Sequence, residues 1–550
     1  MNNTHDEVNK KQIIISCEKL ETKVALLKNG CLEEYEIERP HDDALVGSIY
    51  LGKIVNLEMS LQAAFVDIGG EKNAFLHFWD MLPASFDMVD KIEREDSGLS
   101  THKKVKSSFS ERIRKLLGMG KKSEHLKEIE IKRRRKKITI DDIPKLFPPK
   151  SEILVQVTKG PIGTKGPRVT TNITLPGRYL VLLPYSEHLG LSSKIDDRKE
   201  RDRLRKILTE LDMPESMGLI CRTVGEGRKS IFFKRDLNML LDAWQSVEAH
   251  LENPVIPSLV YREPSLLERT VRDFLTDDID EIVVDNHEAY KTLEALLTKF
   301  VGRKVAEKVS VYNKARHIFE HYRISEQVAL IFNRQVPLPS GGYICIDETE
   351  ALVAIDVNSG KSRKGKDQPE VILGTNLEAA REVARQLRVR NVGGLVVIDF
   401  IDMRSQSDRD NVYKTMLRLV KDDKAKTKLL PLSKLGLMEM TRQREHESIK
   451  DAVYDLCPYC NGSGRVKSAM SMSVEIQRRL LEVLKRSTSK EGISVRIIMH
   501  PTILARLKNE DAGILMELES KYGKNLSFRA EPNVHLEEFK LVDPITNVEY

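Results

Sequence analysis

Two neighbouring stretches decide how this chain is read: GYICIDETEALVAIDVNSG at 342–360 and GGLVVIDFIDM at 393–403. The first splits into two apolar strands, 343–347 and 351–356, joined by a short polar turn. Between the two stretches runs NLEAAREVARQLRVRN, 376–391, apolar at Leu377, Ala380, Ala384 and Leu387 with Asn376 near its start, which is the periodicity of a helix. A strand ending at Asp356, a helix and a strand ending at Asp399 make a βαβ unit with parallel strands and a right-handed crossover. Both carboxylates then emerge at the carboxyl edge of the sheet, where α/β proteins bind their ligands. Asp347 falls at the opposite end of the hairpin and reads as a turn residue, and Asp402, three residues beyond Asp399, is expected to face elsewhere. Asp356 and Asp399, with Asn358 two residues past the first, are hard oxygen ligands suited to Mg²⁺ or Mn²⁺. Such an ion polarises a phosphodiester and activates water. The competing reading is that strand-end aspartates cap turns, and the pattern alone leaves both open.

Towards the N-terminus, residues 47–80 read as short strands punctuated by glycine pairs, the texture of a small β-barrel. Phe65, Phe75, Phe78 and Trp79 cluster there in a chain with only 6% aromatics. OB-type barrels use such rings as platforms for unpaired bases, although each ring can equally be core. Strands resume at ILVQVTKG, 153–160, so the barrel is expected to be interrupted and then completed. The interruption is strongly basic: residues 102–137 hold fifteen Lys or Arg against four Glu, a net of +11, while the whole chain is +6 and the remainder therefore −5. That stretch reads either as a solvated insertion or as a phosphate-binding arm that extends an RNA path.

The 550 residues suggest three or four folding units at roughly 150 residues each. With 40% apolar and 31% charged residues, and no apolar run near the roughly 20 residues that span a bilayer, a membrane protein is excluded. The start, MNNTHDEVNKKQ, lacks the apolar core of a secretory signal, so a cytoplasmic location is expected. Six cysteines are too few for a disulfide framework. Two of them form CPYCNGSGRV, 457–466, a zinc-knuckle composition, yet no second C-x-x-C exists and Cys17, Cys31, Cys221 and Cys345 are scattered. The economical solution has two protomers each donating Cys457 and Cys460 to one shared Zn²⁺; a redox pair is the alternative. Residues 468–550 read as a small α/β domain without legible chemistry.

Taken together, SLQAAFVDIGGEKNAFL, MGLICRTVGEG, LPSGGYICIDETEALVAIDVNSG, TNLEAAREVARQLRVRNVGGLVVIDFIDM, SKLGLMEMTRQR and CPYCNGSG resemble the ribonuclease E/G family of bacterial endoribonucleases, from about residue 44 to 467. The resemblance implies a multidomain α/β and β architecture. An RNase H-like domain (1–45 and 265–331) is interrupted by an S1-type OB barrel (46–170, with the basic insertion at about 90–138) and a 5′-phosphate sensor region (171–264). A DNase I-like catalytic subdomain (332–452), a zinc link (453–467) and a small C-terminal domain (468–550) follow. It implies Mg²⁺ on Asp356 and Asp399 with Asn358 assisting, the same pair that the strand pattern selects. It implies RNA contacts at Phe65, Phe75 and Lys165, and 5′-monophosphate recognition by Arg222 and Thr223 with Gly177 and Val181 supporting the pocket.

The family usually carries a basic pair where GLSSKI has Ser193 and Lys194, so one arginine donor of that pocket is missing. The basic insertion is a second departure, and the absence of a long tail after the small domain tilts the reading to the RNase G type. The expected activity is Mg²⁺-dependent endonucleolytic cleavage of single-stranded, A/U-rich RNA, preferring 5′-monophosphorylated substrates, in rRNA and tRNA processing and mRNA decay. The expected partners are RNA and further copies of the chain, a zinc-linked dimer that builds a tetramer. DNA is not expected as a substrate, and membrane association stays open. The rival reading is a non-catalytic RNA-binding or ribosome-associated protein.

Overall fold

The sheet that carries both aspartates has six strands in the order Gln335–Pro337, Tyr343–Glu348, Leu352–Asn358, Gly394–Asp399, Leu437–Arg442 and Thr427–Leu429. Its side chains alternate strictly, as the pleat requires. Ile344, Ile346, Val353, Ile355, Val357, Val396, Ile398, Met438 and Met440 point to one face and are buried under helices Gln368–Val389 and Gln406–Lys421. Each such side chain contributes roughly 1.5–3 kcal/mol by leaving water. The first helix begins earlier than the periodicity suggests, because Pro369 sits near its start, where the missing N–H costs nothing. Leu352–Asn358 and Gly394–Asp399 are parallel, with the helix crossing between them, as expected. Among the described residues most of the opposite face is open: Ala354, Asp356, Leu395, Asp399, Glu439 and Thr441 are exposed, while Cys345, the register partner of Asp356, is buried.

In this computed structural model the described residues are 10–39, 45–81, 140–161, 165–214, 216–252, 254–349, 351–360, 368–421, 423–443, 448–455, 457–486, 494–523 and 525–550. The basic stretch 102–137 lies outside them. The chain divides into two units, Met1–Ala452 and Val453–Tyr550.

Within the first unit a second sheet joins chain segments far apart in sequence. Its order is Val309–Val311, Glu281–Val284, Lys11–Cys17, Thr22–Lys28 and Cys31–Glu38. Lys11–Cys17 runs parallel to Glu281–Val284. Its isoleucines feed two cores, Ile13 and Ile15 on one side and Ile14 on the other, which explains its unbroken apolar run. Everything between residues 45 and 261 is therefore inserted into this sheet.

The insertion starts with the barrel. Ile49–Glu58, Ala63–Asp67, Ala74–His77, Arg168–Thr170 and Glu152–Lys159 form a sheet that closes by pairing the last strand with the first. This is the interrupted, OB-like barrel that the sequence leads one to expect. A sixth strand, Ser258–Tyr261, adds to the outside of Ile49–Glu58, although its sequence position lies within the sensor stretch. Next comes a four-stranded sheet, Leu189–Leu191, Gly218–Cys221, Leu180–Leu183 and Leu175–Pro176. Helices Arg198–Glu210 and Ser230–His250 bury Leu204, Leu208, Phe233, Leu237 and Trp244 in the core shared with this sheet.

The second unit holds helix Ala469–Arg486, helices Pro501–Asn509 and Ala512–Tyr522, and a sheet with Val495–Met499 central, parallel to Leu526–Ala530 and antiparallel to Phe539–Val542. Among the described residues no helix is long and apolar enough to cross a membrane.

Candidate active site

Asp356 and Asp399 are register partners across the parallel strand pair, so backbone pairing alone sets their spacing. Both are exposed on the uncovered face. The Asn358 side-chain N–H donates to Asp356 Oδ2 at 2.7 Å, which fixes one carboxylate oxygen and leaves the other turned free for a ligand. Partial burial pushes the Asp399 carboxyl above the usual range, and the charges of Asp356 and Asp402 add to the rise. Among the described residues the charged groups that act on Asp399 are both acidic, Asp356 and Asp402. Asp402 is thus not remote from the site, contrary to the expectation from its spacing. The chain turns after Asp399, and Asp402 Oδ1 comes within 3.3 Å of where a Cβ on Gly436 would sit. Asp347 does belong elsewhere: it pairs with Ala354 in register and takes the Arg334 guanidinium, Nε at 2.5 Å and Nη2 at 2.7 Å.

Two loops hold these ligands in place. Asn376 is fully buried and lies inside the helix instead of capping it. Its side chain donates to Ile401 O at 2.8 Å and accepts from Ile401 N at 3.1 Å, so it reproduces a strand pairing for the turn that follows Asp399. On the Asp356 side a Cβ on Gly342 would lie 2.7 Å from Asn358 O, so only glycine lets the PSGG turn approach that closely. Ser340 N–H donates to Glu378 Oε2 at 2.9 Å and anchors the same turn to the helix. Asn376 was detectable as a polar residue on the apolar stripe of its helix; nothing local marked Asp402.

Donors of this kind fit a small, hard cation. Mg²⁺ takes one or two carboxylates and keeps water or substrate phosphate oxygens at its other positions. The pair of carboxylates, one of them raised by partial burial and by its neighbours' charge, has the composition such an ion neutralises. Among the described residues no group of three or more His, Cys, Asp or Glu is arranged to enclose a metal ion.

On the barrel, Phe65 and Phe75 oppose each other in register, half-buried, with ring centroids 6.0 Å apart and an interplanar angle of 75°. They stand on the outer surface, while Ala64, Val66, Ala74, Leu76 and Phe78 fill the interior. Of Phe65, Phe75, Phe78 and Trp79 only Phe78 is core, and Trp79 is exposed. Lys165 is exposed. The next residue, Gly166, lies so close to Asn73 that a Cβ there would meet its carbonyl at 2.1 Å, which sets Lys165 beside the Phe75 strand.

The residues expected to form a phosphate pocket also come together. Arg222 Nη1 donates to Gly177 O at 2.7 Å and Nη2 lies 2.8 Å from Asp273 Oδ1. Thr223 is exposed, with its hydroxyl 3.1 Å from that of Ser192. Gly177 is required by packing, since a Cβ would fall 2.7 Å from Asp236 Oδ2. That carboxylate accepts the backbone N–H groups of Arg178, Tyr179 and Leu180 and so shapes the turn. Val181 is opposite Pro176 and Ile220 and supplies only an apolar wall. Ser193 is exposed, and the Lys194 ammonium donates to the carbonyls of Asp423 and Lys424, which occupies it away from Thr223. Sequence reasoning missed Asp273. Burial alone would raise its carboxyl, but Arg272 and Arg222 hold it below the usual range. Buried Arg178, bonded to Tyr179 Oη at 3.1 Å and Leu275 O at 2.9 Å, fastens the turn that carries it.

In the second unit Cys457 and Cys460 sit in a turn well before helix Ala469–Arg486. Asn461, Gly462 and Gly464 there all have positive φ, which favours the glycines. Hydrogen bonds from the Cys460 and Tyr459 backbone and from the Cys460 side chain lower the pKa of the Cys457 thiol, which favours the thiolate that metals bind. His535 approaches this turn, yet one ring nitrogen faces Tyr459 O at 2.5 Å and the other accepts from Glu537 N–H at 3.1 Å. Both ring positions are used, so His535 is no third ligand.

A fold with a carboxylate pair on an open sheet face, an appended OB-like barrel and a guanidinium pocket describes a metal-dependent nuclease class. The family model described as "Ribonuclease E/G family" matches residues 174–445, and "RNase E/G, Thioredoxin-like domain" matches 456–544. Ribonuclease G of Escherichia coli strain K12 is 33% identical over 531 residues, covering 96% of this chain and 99% of the relative. Ribonuclease G of Haemophilus influenzae is 33% identical over 95% of this chain and 97% of its own length. Ribonuclease E of Escherichia coli strain K12 is 33% identical over 93% of this chain but only 44% of its own length. The chain belongs to the ribonuclease E/G family.

Proposed function

We propose that this chain is a Mg²⁺-dependent endoribonuclease that cuts single-stranded, A/U-rich RNA, leaves 5′-phosphate products and favours substrates with a 5′-monophosphate. The observation that carries the reading is the register pairing of Asp356 with Asp399 on an uncovered sheet face. The two carboxylates would hold the ion, with Asn358 orienting Asp356 through the 2.7 Å bond. When bound, Mg²⁺ polarises the scissile phosphodiester and eases deprotonation of the attacking water.

The rest of the work falls to the chain's own side chains. Phe65 and Phe75 offer half-exposed rings for base stacking, a contact worth about 1–3 kcal/mol per base and tolerant of sequence. Lys165 supplies a cation for the backbone. Arg222, oriented by Gly177 O and Asp273, has further N–H donors for a terminal phosphate, and Thr223 adds a hydroxyl. With Lys194 engaged by the 423–424 carbonyls, sensing would rest on Arg222 and Thr223 alone.

The domain names follow the same reading: RNase H-like for the sheet of 11–38 and 281–311, S1-type for the barrel, DNase I-like for the open-faced catalytic sheet. One Zn²⁺ shared by Cys457 and Cys460 of two protomers would link a dimer, from which a tetramer is built, in the cytoplasm. The natural substrates would be rRNA and tRNA precursors and mRNA. The decisive experiment incubates the purified chain with a 5′-monophosphorylated RNA oligomer, its 5′-hydroxyl counterpart and matched DNA, with and without Mg²⁺. Cleavage confined to RNA with Mg²⁺, and faster on the monophosphate, is expected; DNA cut equally well would overturn it. Replacing both cysteines with Ser should halve the mass seen by light scattering, and an unchanged mass would remove the zinc link.

A further inference from the structure

Two arginines grip consecutive carbonyls of one turn. Arg222 Nη1 donates to Gly177 O at 2.7 Å, and Arg272 Nη1 reaches Pro176 O at 3.4 Å. Asp273 lies between the two guanidiniums, with Oδ1 2.8 Å from Arg222 Nη2 and Oδ2 accepting from Arg272 Nε at 2.9 Å. The segment that carries Arg272 and Asp273, Thr270–Phe274, is a widened helical turn, in which Leu275 N–H donates five residues back to Thr270 O at 3.2 Å. Such widenings recur at functional sites. Arg178 holds this turn at both ends, through Val271 O at 2.5 Å and Leu275 O at 2.9 Å.

The charges continue inward, because Arg272 Nη1 also donates to Glu263 Oε1 at 2.7 Å. Side-chain exposure falls along the series, from 29% at Arg222 through 21% at Asp273 and 15% at Arg272 to 6% at Glu263. Screening is therefore weakest at the inner end. Burial alone would lower the pKa of the Arg272 guanidinium, yet Asp273 and Glu263 hold it above its usual value. Glu263 in turn stands against the start of the barrel. Its N–H donates to Ser48 Oγ at 3.0 Å, and a Cβ on Gly47, where φ is +91°, would fall 2.7 Å from Glu263 Oε2. The Gly47 backbone is fixed in the barrel, its N–H donating to Val157 O and its carbonyl accepting from Gln156 Nε2, both at 2.8 Å. Glu263 Oε2 itself is buried without a hydrogen-bond partner among the described residues. A half-paired buried carboxylate is destabilising, and a neutral group of the same shape would be less so. What the charge adds is its pull on Arg272.

We propose that Arg272 and Glu263 are positioning residues for 5′-end recognition: a chain of alternating charge, Arg222–Asp273–Arg272–Glu263, runs from the candidate phosphate pocket to the start of the barrel and sets how firmly Asp273 holds Arg222. This rests on the reading of Arg222 as a phosphate donor. Glu263 takes a share of Arg272. With that charge withdrawn, Arg272 draws on Asp273 alone, and Asp273 holds Arg222 more weakly.

The test compares KM for a 5′-monophosphorylated RNA oligomer and its 5′-hydroxyl counterpart, using the purified full chain with Mg²⁺. Arg222→Gln is the reference: if it leaves the ratio of the two KM values unchanged, the pocket reading itself fails. If that ratio collapses, Glu263→Gln, which keeps the shape and withdraws the charge, should narrow it by about twofold, the lower end of couplings within one charge network. Both kcat and KM for the hydroxyl oligomer should stay unchanged. In an Asp273→Asn background Glu263→Gln should narrow the ratio no further, because its effect passes through the charge already removed. If Glu263→Gln lowers hydroxyl-oligomer turnover and melting temperature together, the fold has suffered. Gly47→Ala, whose Cβ would push the carboxylate off Arg272 with every charge kept, then carries the same two expectations. An unchanged ratio in the folded variant, or a twofold narrowing that persists in the Asp273→Asn background, would overturn the charge chain while leaving Arg222 in its pocket.

Discussion

The carboxylate edge and the proposed phosphate pocket of this protein are assembled by different means. Asp356 and Asp399 sit opposite each other because one strand pair is in register, and both are supported by the same sheet and the helix between their strands. Arg222 has no such partner on its own element. It is placed by Gly177 O from one turn and by Asp273 from a segment that follows the four-stranded sheet in sequence, which Arg178 in turn fastens through the Leu275 carbonyl. The first arrangement survives as long as the sheet does. The second depends on several side-chain bonds, each worth about a kilocalorie or a little more. Tolerance to substitution should differ accordingly.

Three measurements sharpen that contrast. Asp399→Asn removes one of the two charges proposed to hold the metal, and kcat on a monophosphorylated oligomer should fall by about a thousandfold, while RNA affinity measured by filter binding changes by less than about twofold. Activity within tenfold of the parent would break the assignment. Arg222→Gln should raise KM for the monophosphorylated oligomer by about tenfold or more, the value of a charge-assisted hydrogen bond, and leave the hydroxyl oligomer untouched. Equal loss on both substrates would mean that the pocket is structural. Asp273→Asn, which leaves shape but withdraws charge from Arg222, should narrow the ratio of the two KM values by about threefold with no change in kcat for the hydroxyl substrate. A ratio that stays put would show that Gly177 O alone positions the guanidinium.

The contrast also explains what could be read in advance. The βαβ unit was legible because two apolar strand runs ended at Asp356 and Asp399 with a helix-periodic stretch between them, and parallel pairing leaves no other arrangement for them. The barrel was legible from strand and turn spacing, even across the basic stretch. The inner or outer position of each aromatic ring was not, because Phe75 lies on strand Ala74–His77 while Phe78 opens the short helix Phe78–Met81, a boundary that the sequence leaves uncertain. Asp402 was misread for a related reason: strand periodicity was extended past Asp399, where the chain turns under the hold of Asn376. Asp273 carried no local signal, since its partner lies on another element.

By itself, then, the sequence determined the elements, the carboxylate pair and the cysteine turn, because each depends on spacing within one short segment. Only the tertiary structure decided which face of the catalytic sheet stays uncovered, which rings of the barrel meet solvent, that Lys194 is spent on the 423–424 carbonyls and that Asp273 braces Arg222. Those outcomes depend on which surfaces the packing of distant segments buries, a property that no local pattern of residues encodes.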